Sequence, residues 1–367
     1  MKICLRSNIY YNVGVAETIY QYFLASKDLG IDFKIAGFIE EKVTNFIQPI
    51  SKPLPRRKNE INLHGRDYPI TKENSKDVDL FVFYFDSQNP FKGGDENELE
   101  RILSIVPREK SIVIDADGKY NPLMNTGDDS NHVNETERQE WIKTFRALSD
   151  RIFQPTLNPL CKEVKPFTFW GYKEPREKRK IEHDVLYLGS NWYRWDRMEE
   201  FMKQFEGLRD LFPRLTVMGS YWLSSDPYMP NANKHNPNFF KENDIKVQEY
   251  VTEFGEFTEI LSGSRFSPIL IRPVLSKMKM ITPRMFETFA SGTIPFLPPH
   301  FDYCEELYGK EAKELIIDGD TTSKLRDMNK REERYKKITE AMGERLRINN
   351  SYEKRIDELI KIGNSGY

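Results

Sequence analysis

Two short segments carry side chains whose types and spacing suit phosphate and sugar chemistry. In Thr282-Pro283-Arg284-Met285-Phe286-Glu287-Thr288-Phe289-Ala290-Ser291-Gly292, the proline suits the first turn of a helix and the glycine its end. Arg284 and Glu287 then share one helix face near the N-terminus. An arginine at a helix N-terminus attracts a diphosphate, and a neighbouring carboxylate accepts two hydroxyls of a ribose. The plainer alternative is an ion pair on a surface helix. The second segment, Ser111-Ile112-Val113-Ile114-Asp115-Ala116-Asp117-Gly118, is a buried-type strand ending on two aspartates. A carboxylate at the cleft end of such a strand is placed to take a proton from an attacking hydroxyl. A solvated turn would use the same residues.

Positioning these groups takes two α/β units. A strand at 3–5, a loop holding Asn12 and Gly14, a helix over 17–29 and a strand at 32–36 form a βαβ unit, which implies a parallel sheet. Strands at 79–84, 111–114 and 151–153 extend it, with helices over 99–106 and 141–148 and a surface loop over 51–76. This first domain spans 1–160. A proline- and charge-rich linker, 161–180, leads to a second domain over 181–330. Its strands are expected at 184–188, 215–218, 269–271 and 293–297, its helices at 198–212, 257–262 and 284–290, and a loop at 224–244. A charged helical tail, 331–367, ends the chain.

The composition narrows the function classes. Among 367 residues, 55 Lys and Arg stand against 57 Asp and Glu, a net charge of −2, so no global field steers the chain onto nucleic acid or an anionic membrane. Three scattered cysteines, Cys4, Cys161 and Cys304, form neither a disulfide framework nor a C-x-x-C metal site and fit a reducing compartment. The five histidines lack metal-ligand spacing, so no metal ligand is assigned. No apolar run reaches the ~18 residues of a membrane span, and no signal-peptide run follows Met1. A cytoplasmic protein without integral membrane association is expected, its oligomeric state unread.

The segment 284–295 resembles the R-x-x-E-x-x-A-x-G-x-x-P signature of GT-B glycosyltransferases of the family-4 and family-1 kind, through Arg284, Glu287, Ala290, Gly292 and Pro295. The resemblance implies an α/β chain of two Rossmann-like domains facing a cleft, with a C-terminal helix packing back on the first. It places Arg284 on the donor diphosphate and Glu287 on the donor ribose. The block from His183 to Arg197 is similar to the strand and diphosphate loop opening the second domain, which puts Gly189, Ser190, Asn191, Arg194 and Arg197 on the donor. Arg272 would face the diphosphate and Val251 the base. Ala16-Glu17-Thr18-Ile19-Tyr20 looks like the matching segment of phage DNA β-glucosyltransferases. There Glu17 lies near the reaction, Asn12, Gly14 and His132 on the acceptor side, and Asp115 or Asp117 is the base. Many retaining members carry a second glutamate eight residues before the ribose glutamate; here that position is Lys279, which tilts the reading toward inversion.

The implied activity moves a sugar from a nucleotide-diphosphate sugar, with UDP the expected nucleotide, to an acceptor hydroxyl. The donor is a co-substrate and no further cofactor is implied; a divalent metal is not required. The acceptor is a sugar, a glycan or a small molecule, with DNA ranked behind these because of the balanced charge. Three rivals stand beside this reading. Asp115 and Asp117 also form an Asp-x-Asp of the single-domain, metal-dependent GT-A kind; that reading leaves the second α/β half unexplained. A nucleotide-sugar epimerase would need no acceptor, and a non-catalytic nucleotide-sugar or glycan-binding protein would need no base.

Overall fold

The computed structural model describes residues 1–9, 13–41, 50–53, 60–63, 66–70, 77–86, 91, 97–125, 135–175, 177–224, 234–249, 256–301 and 303–365. Its first half runs β1 (Lys2–Ile9), α1 (Val13–Asp28), β2 (Asp32–Glu41), β3 (Ile50–Pro53), β4 (Glu60–Leu63), β5 (Arg66–Pro69), β6 (Leu80–Phe85), α2 (Glu98–Ile105), β7 (Ser111–Asp115), α3 (Glu135–Leu148), β8 (Ile152–Gln154) and β9 (Val164–Pro166). The second runs β10 (His183–Leu188), α4 (Trp195–Lys203), β11 (Leu215–Met218), α5 (Pro237–Glu242), β12 (Lys246–Gln248), α6 (Phe257–Ser262), β13 (Ser264–Pro268), α7 (Pro273–Lys277), α8 (Arg284–Ala290), β14 (Ile294–Phe296), α9 (Cys304–Tyr308), α10 (Thr321–Lys330), α11 (Glu332–Asn350) and α12 (Tyr352–Asn364).

Each half is built on its own sheet. The first has the order β3-β2-β1-β6-β7-β8-β9, parallel except for β3, while β4 and β5 pair as a separate hairpin. The second has the order β12-β11-β10-β13-β14, all parallel. Every residue of β6, β7 and β10 is buried, as expected of parallel strands covered by helices on both faces. The strand order reverses between β1 and β6, and again between β10 and β13. Ligands of open α/β sheets bind outside the strand ends at such points.

Several elements differ from expectation. The strand sought at 269–271 lies one step earlier, as β13, and Ile269, Leu270 and Ile271 form the buried segment leaving it. Burial alone made that apolar triplet look like a strand. The helix expected over 198–212 starts at Trp195 and stops at Lys203. Within 224–244 lies α5, whose N-cap Asn236 accepts from the Asn238 backbone N–H at 3.2 Å, with Pro237 in its first turn. Strands β4 and β5 and part of β3 occupy the expected loop 51–76. Within 161–180, β9 extends the first sheet.

The chain passes between the halves twice. The Tyr172 N–H donates to Asn350 O at 2.8 Å, so the outgoing and returning segments touch. From there α12 packs on α1, with the Tyr352 ring edge-on to Tyr22 at 5.4 Å. Arg151 Nη1 closes the contact by donating to Ile362 O at 2.9 Å. Among the described residues, no helix is long and apolar enough to cross a membrane.

Candidate active site

In the second half, β10 is followed by Gly189, whose N–H donates to Met218 O and whose carbonyl accepts from Trp222 Nε1, both at 2.8 Å. A Cβ at Gly219 would collide with that carbonyl, so glycine there lets the ends of β10 and β11 close together. The Arg284 guanidinium lies over this junction: a Cβ at Gly189 would stand only 3.1 Å from Arg284 Nη2. Arg284 stacks on the Phe257 ring at 3.8 Å. Its Nη1 is buried without a hydrogen-bond partner, 3.9 Å from the Glu287 carboxylate. Burial pulls its pKa below the ordinary value while Glu287 opposes the shift; a guanidinium remains a cation under such a shift. A buried cationic donor left open calls for an anionic acceptor. Helix α8 has only seven residues, so the arginine rather than the helix dipole supplies most of the attraction.

Glu287 is pushed above the ordinary glutamate range by burial, with Arg284 and Lys173 pulling it down and Glu17 pushing it up. Charges from the first half and the linker therefore reach the second half across the cleft. Glu17, in the first turns of α1, accepts from Gln21 Nε2 at 2.7 Å and pairs with Arg66 at 3.1 Å and with Lys173.

The remaining donor-side candidates divide. Asn191 is fully buried, and its Nδ2 donates to Tyr221 O at 3.0 Å and Lys234 O at 2.8 Å. Arg194 directs its donors to the carbonyls of Ser190, Trp192 and Leu270 at 3.1–3.3 Å. Both brace the loop after Gly189. Arg197 is not brought to Arg284: it is 40% exposed, pairs with Glu200 at 3.3 Å, and lines a separate recess with Gln204, Pro298 and His300. Arg272 lies 3.6 Å from Asp117. Gly14 is in the first turn of α1; Asn12, His132 and Val251 lie outside the described residues.

The two aspartates also separate. Asp115 is wholly buried and accepts from the backbone N–H of Lys119 at 2.9 Å, that of Tyr120 at 2.8 Å, and Gln154 Nε2 at 2.8 Å. Burial raises its pKa against these bonds. A carboxylate so enclosed anchors the turn that follows β7. Asp117, 17% exposed, faces Arg272 of the second half. Two residues not singled out from sequence join it. Asp86 follows β6 as Asp115 ends β7, and Lys119 is buried with Nζ over Trp141 at 4.1 Å, its pKa lowered by burial and raised in part by Asp117, Asp115 and Asp86. The signal that marked Asp115, an acid ending an apolar strand, was equally present at Asp86. Lys173 carried no local signal. Among the described residues, no three His, Cys, Asp or Glu side chains gather as a metal site.

No protein-family model matches the sequence, and no curated protein does. Solved structures do. An α-glucosyltransferase in complex with UDP and a 13-mer DNA containing a central A:G mismatch matches over the whole of both chains, with a TM-score of 0.62 at 13% identity. Sucrose-phosphate synthase from Thermosynechococcus elongatus gives 0.60 at 8%, over 99% of this chain and 98% of that one. T4 phage β-glucosyltransferase in complex with UDP and Mn²⁺ gives 0.53 at 14%, over 99% and 100%. The fold is GT-B. At these identities the likeness is one of architecture, and it removes the single-domain GT-A reading, since the chain carries two separate α/β sheets.

Within this GT-B cleft the enclosure of Asp115 makes a stability prediction. Asp115→Ala should cost about 2–4 kcal/mol in urea unfolding, because it strands two backbone N–H groups and the Gln154 amide in the interior. A midpoint within experimental error of wild type would mean that the turn does not depend on this carboxylate.

Proposed function

We propose that this chain is a glycosyltransferase that takes its sugar from a UDP-sugar. The observation that carries the proposal is the Arg284 guanidinium, held over the end of β10 with Nη1 lacking a hydrogen-bond partner. In this reading Arg284 meets the diphosphate and Glu287 accepts the ribose hydroxyls. Asp117 takes the proton of the acceptor hydroxyl as its oxygen attacks the anomeric carbon. The bond from that carbon to the diphosphate breaks, and UDP leaves with its electrons, its growing charge met by Arg284. Lys279 in place of a second glutamate supports a single inverting displacement. Arg284 supplies the cation that a metal would otherwise supply, so transfer without added metal is part of the proposal. UDP as nucleotide draws support from two of the similar structures, one holding UDP and one UDP-glucose.

A DNA acceptor is a second reading, favoured by the end-to-end match to the DNA-bound α-glucosyltransferase. The net charge of −2 weighs against it. Incubation with UDP-glucose and, separately, oligosaccharides and hydroxymethylated duplexes tests both, with the product's anomeric configuration read by NMR. An epimerase would isomerise the donor with no acceptor present. A binding protein would hold it unchanged.

Glu287 adds a pH signature. Its carboxyl sits above the ordinary range in the free protein, and the ionised form is the one that accepts two hydroxyls. Donor affinity should therefore weaken as pH falls through this raised pKa, where an ordinary glutamate would still be ionised. Calorimetry at several pH values should find that dependence in wild type and lose it in Glu287→Gln. Equal pH dependence in both would remove Glu287 from the ribose.

A further inference from the structure

We infer that Arg272 is a positioning residue for Asp117 rather than a diphosphate ligand, so that the donor-side half of the protein holds the base of the acceptor-side half in place. The inference rests on the proposed function. Its geometry is an ion pair across the cleft: Arg272, on the segment leaving β13, has Nη2 3.6 Å from Asp117 Oδ1, with side chains only 12% and 17% exposed. The surroundings are built around that contact. The Asp117 turn packs on the same stretch of the second half, where Gly118 lies so close to Met278 that a Cβ would come within 2.9 Å of its Cε. Just beyond, the Ile281 N–H donates to Pro155 O at 2.6 Å and Thr156 Oγ1 donates to Met278 O at 3.4 Å. Segment 272–281 thus docks on the ends of β7 and β8.

An aspartate past the end of its strand has few local restraints. Asp115 is fixed by its own turn; Asp117 meets a partner on the opposite half. At 3.6 Å the guanidinium holds the carboxylate by charge attraction in a mostly buried setting rather than by a hydrogen bond. Lys119 is near enough that Asp117 raises its pKa and Arg272 lowers it. A base paired with a cation from the donor half is aligned only when the halves are docked.

The test is a split between turnover and donor binding. Arg272→Met should lower kcat by about 10²-fold, the scale of a small misplacement of a reacting group, while the UDP dissociation constant stays within twofold. Arg272→Lys should recover part of the loss. In a cycle with Asp117→Asn, the double variant should be no slower than Asp117→Asn alone, since Arg272 acts through that carboxylate. A tenfold weaker UDP affinity with kcat preserved would make Arg272 a diphosphate ligand and overturn the inference, as would losses that multiply in the double variant. Wild-type protein that neither binds UDP nor turns over a UDP-sugar would defeat the proposed function first, and the inference with it. An active wild type in which Arg272→Met is silent defeats the inference alone.

Discussion

Replacing Arg284 with alanine should weaken UDP binding by about a hundredfold or more while leaving uridine binding within threefold. The split follows from the geometry: the guanidinium over Gly189 keeps Nη1 without a hydrogen-bond partner, the Glu287 carboxylate lying 3.9 Å away, and only the nucleotide with a diphosphate supplies an anion that can accept from it. Truncating one partner of a buried, hydrogen-bonded charge pair costs about 2–5 kcal/mol, or roughly 30- to 4,000-fold. Arg284 also fills space against Phe257, so Arg284→Met, which keeps most of the bulk, is the better variant for separating charge from packing. Titration calorimetry with both ligands decides the matter. Equal losses for uridine and UDP would mean collapse of the pocket rather than loss of a phosphate contact, and a change in UDP affinity below threefold would withdraw the donor site from this arginine.

Asp117→Asn carries the other large effect. Asparagine keeps the shape and loses the capacity to take a proton, so turnover should fall by about 10²- to 10⁴-fold, the range for a positioned general base, with UDP affinity unchanged. Asp115→Asn should act differently. Its cost should appear in the unfolding midpoint, because that side chain is enclosed by Lys119, Tyr120 and Gln154. Turnover within threefold of wild type in Asp117→Asn would rule this aspartate out as the base. Glu17 would be a poor replacement while it remains paired with Arg66 and Lys173.

The contrast between those two aspartates marks where the sequence could be read. Apolar runs at β1, β6, β7 and β10 predict strands because both faces of a parallel sheet are buried, and the proline-to-glycine bracket around α8 has local causes. Strand β13 has no such signature. It reads Ser264-Arg265-Phe266-Ser267-Pro268, and Arg265 is held there by Asp184 at 3.1 Å and by Glu332 of α11. Those partners lie 81 and 67 positions away, so tertiary pairing overrides a composition that looks like a loop. Asp115 and Asp117 are indistinguishable in sequence because their fates depend on a turn: the strand ends at Asp115, and two residues later the chain has rotated the next carboxylate toward Arg272. The pairing of Lys173 with Glu17 and of Arg272 with Asp117 was invisible in the sequence, since each joins groups from distant parts of the chain.

The twofold crossing between the halves has a mechanical consequence. A protein joined by one strand of chain can twist, bend and slide about its connector. Here the outgoing segment at Tyr172 and the returning one at Asn350 and Ser351 are tied by a backbone hydrogen bond and a parallel bridge, and the Tyr352 ring lies against Gly171. Two adjacent leaves pinned together act as a door hinge: they permit rotation about the line of the pin and resist shear along it. Fluorophores on opposite jambs would then report donor capture as a change of angle, with the separation at the pin itself staying constant.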